Sequence, residues 1–279
     1  MPKIEVQCTP LFYCSMEFYQ MKLMKYLGVI AVALPFALSS ACSSVTDPAE
    51  TYKNETAQQI FQRGETALRD HGYQEAIKRF EALEVQYPFG RDTEIAQLHL
   101  VYAYYMTSEY ALAEAAANQF IHAHPAGLHV DYAYFMRGQA NYFQNMGVFE
   151  RVFAVDLATR DLVQIKKSYA DFAQVVKLFP DSPYAPAAHQ YMIYLRNILA
   201  DHELEVAQYY FNMNAYVAAA NRASLVIRHY QGAPAIPKAL VIMVKSYRAL
   251  HLKQNEAEAL AVLQYNYPNS SYVAEALQS

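Results

Sequence analysis

Between Tyr73 and Pro88 the chain reads YQEAIKRFEALEVQYP, and the spacings around it constrain the fold more than any other stretch. Gly64 lies twelve residues before Ala76, Phe80 follows four after Ala76, and Pro88 eight after Phe80. In a helix-turn-helix unit of about 34 residues, these are the positions where the two helices touch and the unit ends. Glycine on the first helix lets the second approach closely, while alanine and phenylalanine fill the seam. Proline stops the second helix because it has no N–H for the next turn. The pattern returns along the chain. Tyr216 and Tyr230 keep the 14-residue separation of Tyr73 and Tyr87, and Pro88 to Pro125 spans 37 residues, one unit plus a short loop insertion.

These units follow the tetratricopeptide pattern. They predict an all-α superhelix of about five helix-turn-helix repeats, each contacting mainly its neighbours. Repeat one pairs residues 56–70 with 73–86, and repeat two runs from about Asp92 to Pro125. Repeat three has a first helix near 130–145 and a second starting near Lys166, with Ser168 in the place of Ala76. Gly138 to Ser168 is 30 residues where the pattern needs 12, so an insert at about 147–165 separates these two helices. Repeat four opens on Asp181-Ser182-Pro183, a cap-then-proline start, and pairs an unusually long helix, 184–211, with 216–230. Repeat five pairs 236–250 with 255–266, and residues 269–279 form a capping helix at most. The repeats are thereby divided into an N-terminal set, 56–180, and a C-terminal set, 181–279.

The N-terminus specifies export. Met21-Lys22-Leu23-Met24-Lys25 is basic, Tyr26 to Leu38 is an apolar run of 13, and Ser39-Ser40-Ala41-Cys42 follows. Such a run is too short to span a bilayer, and its order describes a secretory signal over 21–41. Cys42 at the boundary resembles the lipobox of bacterial lipoproteins, in which the thiol receives a diacylglycerol and the new N-terminus an acyl chain. Ser39 stands where a branched residue is usual, with Leu38 one step further out. The alternative is cleavage after Ala41, leaving a soluble periplasmic protein with a free thiol. By resemblance to Gram-negative lipoproteins, Ser43 after the cysteine implies the outer membrane. Residues 1–20, with Cys8 and Cys14, fit no part of a signal and are expected to be a non-native extension upstream of a start at Met21 or Met24. The mature chain then holds no second cysteine and no disulfide. It carries 19 basic and 24 acidic residues, a formal −5. Residues 42–55, polar and without an apolar period, read as a lipid-anchored tether.

That balance gives no electrostatic footprint for nucleic acid. No HExxH, GxSxG or glycine-rich phosphate loop occurs, so no catalytic residue and no cofactor is expected. His122, His124 and His129 form the densest imidazole group, and they read as turn residues rather than metal ligands. Asp156, Arg160 and Asp161 in the insert read as a local ion-pair network.

Tyrosine is the more informative residue. Tyr102, Tyr104 and Tyr105, then Tyr132, Tyr134 and Phe135, fall on the first helices of successive repeats. Helix neighbours point about 100° apart, so these side chains cannot all face one core. Those left in a groove between repeats offer a flat apolar face with a hydrogen-bonding tip, which suits an extended or aromatic-ended peptide. Tyr102, Tyr105, Tyr132 and Arg137 are the expected groove residues.

With the lipobox and five repeats, the motifs QYPFG (86–90), AYYM (103–106), DYAYFMRGQ (131–139) and AVDLATRD (154–161) resemble the BamD (ComL) family of outer-membrane β-barrel assembly lipoproteins. The similarity covers essentially the mature chain. It implies a periplasmic scaffold, anchored in the outer membrane by its lipid, that receives unfolded outer-membrane β-barrel proteins through their aromatic-ended C-terminal segments. It implies as partners an Omp85-type barrel subunit and other assembly lipoproteins. Arg222, in AANRAS, matches an Asn-Arg position of the family and is carried over as a subunit contact. The competing reading is a tetratricopeptide lipoprotein of another envelope pathway, a pilotin for a secretin or a cell-division coordinator.

Overall fold

The computed structural model of this chain describes Asp47, Pro48, residues 50–144 and residues 162–278. Cys42, the leader before it, and residues 145–161 with Asp156, Arg160 and Asp161 lie outside the described residues. The described residues from Pro48 onward form one compact unit. They contain eleven helices: α1 (Ala57–Arg69), α2 (Tyr73–Gln86), α3 (Arg91–Met106), α4 (Tyr110–Ala123), α5 (Val130–Gln144), α6 (Val163–Leu178), α7 (Ala185–Asn212), α8 (Tyr216–His229), α9 (Ile236–Ala249), α10 (Lys253–Asn266) and α11 (Ser271–Leu277). Each helix packs on its predecessor and successor. Five helix pairs and a terminal helix result.

The seam of repeat one is as close as its glycine requires. A Cβ on Gly64 would lie 2.5 Å from Cε1 of Phe80, a distance no real contact tolerates. Repeat three repeats the device: a Cβ on Gly138 would lie 2.9 Å from Phe172, and Ser168 donates its hydroxyl to the Gly138 carbonyl at 2.7 Å. Where the second helix carries alanine in place of that phenylalanine, at Ala117 and Ala223, the first helix carries the larger Val101 or Ala207 in place of glycine. All four are fully buried. Volume moves from one side of the seam to the other while the interface stays filled.

Turns repeat as faithfully as helices. His71, Ser108, Asn214 and His251 all adopt left-handed φ between 59° and 66°, each two residues before a second helix begins. Each donates its N–H to the carbonyl three residues earlier, and the next residue donates to the carbonyl five earlier, as in Gly72 to Ala67 at 2.8 Å. Free carbonyls at the helix end are thereby satisfied. Repeat one also opens on a capping box, in which the Gln59 N–H donates to Thr56 Oγ1 and the Thr56 N–H to Gln59 Oε1.

Two expectations are corrected. Helix α6 starts at Val163, not near Lys166, so residues 163–165 belong to the helix rather than the insert. The reason is Ile165, which is fully buried in the core shared with Phe172. The tether is also shorter than expected, because residues 50–55 are docked. Among the described residues no helix precedes α1, and this segment covers repeat one instead: Tyr52 packs against the first core and donates its hydroxyl to Glu75 at 3.0 Å. Arg79 lies 4.2 Å over the Tyr52 ring, and the Glu55 carboxylate accepts from Arg63 at 2.6 Å and Arg79 at 3.2 Å.

Helix α7 joins the two sets of repeats. Helix α7 is 28 residues long, against 13 to 16 for α1 to α6. Ala188, Leu195 and Leu199 belong to the core of repeats two and three. Ala200, Leu204 and Ala207 belong to the core of repeats four and five. One continuous helix therefore serves both sets of repeats. At the far end α11 covers the last pair, burying Ala276, with Arg248 donating to the Ala276 and Gln278 carbonyls.

Candidate functional site

The first helices of successive repeats wall a cleft of about 480 Å³. Leu68 comes from the end of α1, Ile95, Leu98, His99 and Tyr102 from α3, His129 from the residue before α5 and Tyr132 from its first turn. Tyr184, immediately before α7, closes it. Tyr132 and Tyr184 pack with ring centroids 5.4 Å apart, and Tyr102 meets the Tyr73 ring edge-on at 6.2 Å. Burial raises the phenol pKa of Tyr102, Tyr132 and Tyr184, so all three remain hydrogen-bonding hydroxyls at neutral pH. Among the described residues no carboxylate, lysine or arginine lines this cleft. Its chemistry is apolar walls with phenol tips, suited to aromatic or aliphatic side chains on an extended backbone.

Of the expected groove residues, the structure brings Tyr102 and Tyr132 together and takes the other two elsewhere. Tyr105 packs with Tyr110 at 5.6 Å and Phe143 at 5.8 Å, outside the cleft. Arg137 is engaged within the fold: its Nε donates to Asp171 Oδ1 at 2.8 Å and its Nη1 to Asn118 at 2.6 Å, while its guanidinium lies 4.9 Å over the Tyr134 ring. An acid on α6, 34 residues on, has claimed it. The remaining aromatics of the run are structural as well. Tyr104 donates to Glu81 at 2.5 Å, and Phe135 packs on Phe172 at 5.6 Å.

His99 and Tyr184 were not anticipated. Tyr184 opens the helix expected over 184–211; in the structure that helix starts at Ala185 and Tyr184 stands immediately before it. His99 stacks on Phe61 at 6.0 Å and lies 5.4 Å from Phe80, and its Nδ1 has no hydrogen-bond partner among the described residues. Burial lowers its pKa from the ordinary 6.5, opposed by Glu65. The folded protein thus prefers the neutral ring. Its contribution is complete above the unfolded value and is lost as pH falls through the window below 6.5. The parent is expected to lose more stability between about pH 7 and pH 5 than His99→Phe does, measured by denaturation midpoints. An equal decline in both proteins would remove His99 as the cause.

Arg222, on α8, donates to Glu203 of α7 at 2.9 Å and keeps 42% of its side chain exposed. His124 sits against Phe120 at 4.8 Å and pairs with Gln97 at 3.2 Å. Among the described residues no group of three or more His, Cys, Asp or Glu is placed to hold a metal, and no helix is long and apolar enough to cross a membrane.

Helix pairs with glycine-seated seams, identical left-handed turns and a cleft walled by consecutive first helices define a tetratricopeptide-repeat protein. The model of the YfiO family, described as outer membrane lipoproteins, matches residues 53–263, and the chain belongs to that family. It is 31% identical over 252 residues to the outer membrane protein assembly factor BamD of Neisseria gonorrhoeae, covering 90% of this chain and 94% of that one. The Vibrio cholerae protein of the same name is 32% identical over 246 residues, covering 88% of this chain and 99% of its own length. The structure of PilW, a type IV pilus biogenesis factor, overlays 80% of this chain with a TM-score of 0.36 at 15% identity.

Proposed function

We propose that this chain is a scaffold of outer-membrane β-barrel assembly, held at the periplasmic face of the outer membrane by lipid on Cys42. The observation that carries this reading is family membership over residues 53–263, together with near full-length similarity to proteins named assembly factor BamD. In this reading the cleft of Tyr102, Tyr132 and Tyr184 takes the aromatic-ended C-terminal segment of an unfolded barrel protein. The apolar lining and uncharged phenols support that role. Arg222, exposed beside Glu203 on repeat four, contacts the Omp85-type subunit, and other assembly lipoproteins join the same complex. The scaffold acts by binding, without turnover.

The test is a mild-detergent pull-down from membranes, with the tagged chain expressed behind its own signal. An Omp85-type subunit is expected in roughly stoichiometric amount. Arg222→Glu puts like charge beside Glu203 and is expected to reduce recovery about tenfold or more. Recovery of a secretin or of division proteins instead would overturn the assembly reading.

A further inference from the structure

The loops joining one repeat to the next differ along the array. After α2 the loop runs Tyr87-Pro88-Phe89-Gly90, up to Arg91 at the start of α3, and Phe89 is 92% exposed. After α4 it ends on Gly127-Leu128-His129, and Leu128 is 87% exposed. The loops after α6, α8 and α10 instead turn Asp181, Gln231 and Asn269 to solvent. Exposing one large apolar side chain is ordinary; placing two on adjacent loops is less so.

The two loops are neighbours. A Cβ on Gly127 would lie 3.6 Å from the Glu94 carboxylate in the first turn of α3, and His124 pairs with Gln97 on the same helix. Neither stretch 85–91 nor 122–129 contains an acidic residue, although the mature chain is formally −5. Arg91, His122 and His129 are exposed there. Asp92 and Glu94 follow within α3, at its positive end.

The chain also enters the repeat unit at this place. The Gln86 amide donates to the Pro48 carbonyl at 2.9 Å and to the Thr51 carbonyl, and the Tyr87 hydroxyl donates to Glu55 at 3.1 Å. Pro48 is six residues after Cys42. Six extended residues reach at most about 22 Å. A lipid on Cys42 therefore keeps the bilayer within that distance of Pro48, against which the base of the Phe89 loop is bonded.

We propose that residues 87–91 and 122–129, two loops with the helix ends that flank them, form a lipid-contacting surface, with Phe89 and Leu128 entering the headgroup region of an anionic phospholipid bilayer and Arg91 meeting phosphate. The proposal rests on acylation of Cys42 as read above. An exposed aromatic with a nearby cation suits the membrane interface, and at the loop tips the exposed charge is Arg91 with the His122 and His129 rings, while Asp92 and Glu94 are half-buried in α3. The acyl chains supply attachment. The loops supply orientation, fixing which edge of the first two repeats faces the bilayer.

The chain has no tryptophan, so a single one reports its own surroundings. Phe89→Trp, Leu128→Trp and Asn269→Trp versions of the full chain, expressed behind its own signal, are purified from membranes. Each is reconstituted in phosphatidylethanolamine–phosphatidylglycerol vesicles with brominated acyl chains. The expected result is blue-shifted, quenched emission at positions 89 and 128 and unquenched emission at 269. Equal quenching at all three positions, or none at 89 and 128, overturns the proposal. So does shielding of position 89 in native membranes but not in lipid-only vesicles, which assigns the loops to a protein partner. Mass spectrometry of the same preparations reads acylation separately. An unacylated chain overturns the anchor and the contact together, whereas an acylated chain with unquenched tryptophan overturns the contact alone.

Discussion

An Asp171→Ala protein is expected to be less stable than the parent by about 3–5 kcal/mol, measured from denaturant midpoints. Asp171 is 8% exposed at its side chain and Arg137 18%. One carboxylate oxygen accepts from Arg137 Nε at 2.8 Å and from its Nη2, and the other accepts from the Asn141 amide at 2.8 Å. Burial pushes the carboxyl pKa up, while Arg137 and Asn141 pull it down. Truncation leaves a largely buried guanidinium with only Asn118 as its hydrogen-bond acceptor in this network, and charge without compensation is what makes such losses large. Arg137→Met combined with Asp171→Leu removes both charges and is expected to recover most of the loss. If Asp171→Ala alone matched the parent, the pair would have to be solvated and energetically unimportant.

The second large effect is expected at the seam of repeat one. Gly64→Val places atoms where Phe80 already stands, 2.5 Å from the new Cβ, and is expected to destabilise by about 3 kcal/mol. Phe80→Ala empties a fully buried site and is expected to cost about 3–5 kcal/mol. The double variant recreates the valine-alanine pairing of Val101 and Ala117 in repeat two. Its loss should fall short of the sum by about 1 kcal/mol or more. Strict additivity would mean that the two residues do not share the space attributed to them.

The same seam shows why so much of the fold was legible. Gly64, Ala76, Phe80 and Pro88 carry local information, because spacing along a helix fixes which side chains share a face. The interval from Gly138 to Ser168 carried it across an insertion, and both residues meet as expected at 2.7 Å. Arg137 was misplaced because its partner is not local. Nothing in DYAYFMRGQ says that Asp171, 34 residues later, lies within hydrogen-bond reach. Tyr105 was lost for a related reason. It stands three residues from Tyr102, about 60° away on the same side of the helix, and phase alone does not say that Tyr105 packs on Phe143. The docking of residues 50–55 was illegible because a polar segment without period looks like a tether whether or not Glu55 finds Arg63 and Arg79.

Helix α7 changes what kind of machine the array is. Repeat proteins are chains of similar units, each stabilised by its contacts with the units on either side. Here one helix about 42 Å long spans the middle of the array, seated in one core through Leu199 and in the next through Ala200. Tyr184, at the mouth of the cleft, stands at one end of that helix. Glu203, which holds Arg222, lies 19 residues further along, about 28 Å away. The positions of the cleft's tyrosine and of the arginine's partner are thus set by one continuous helix, with no loop inside it between them.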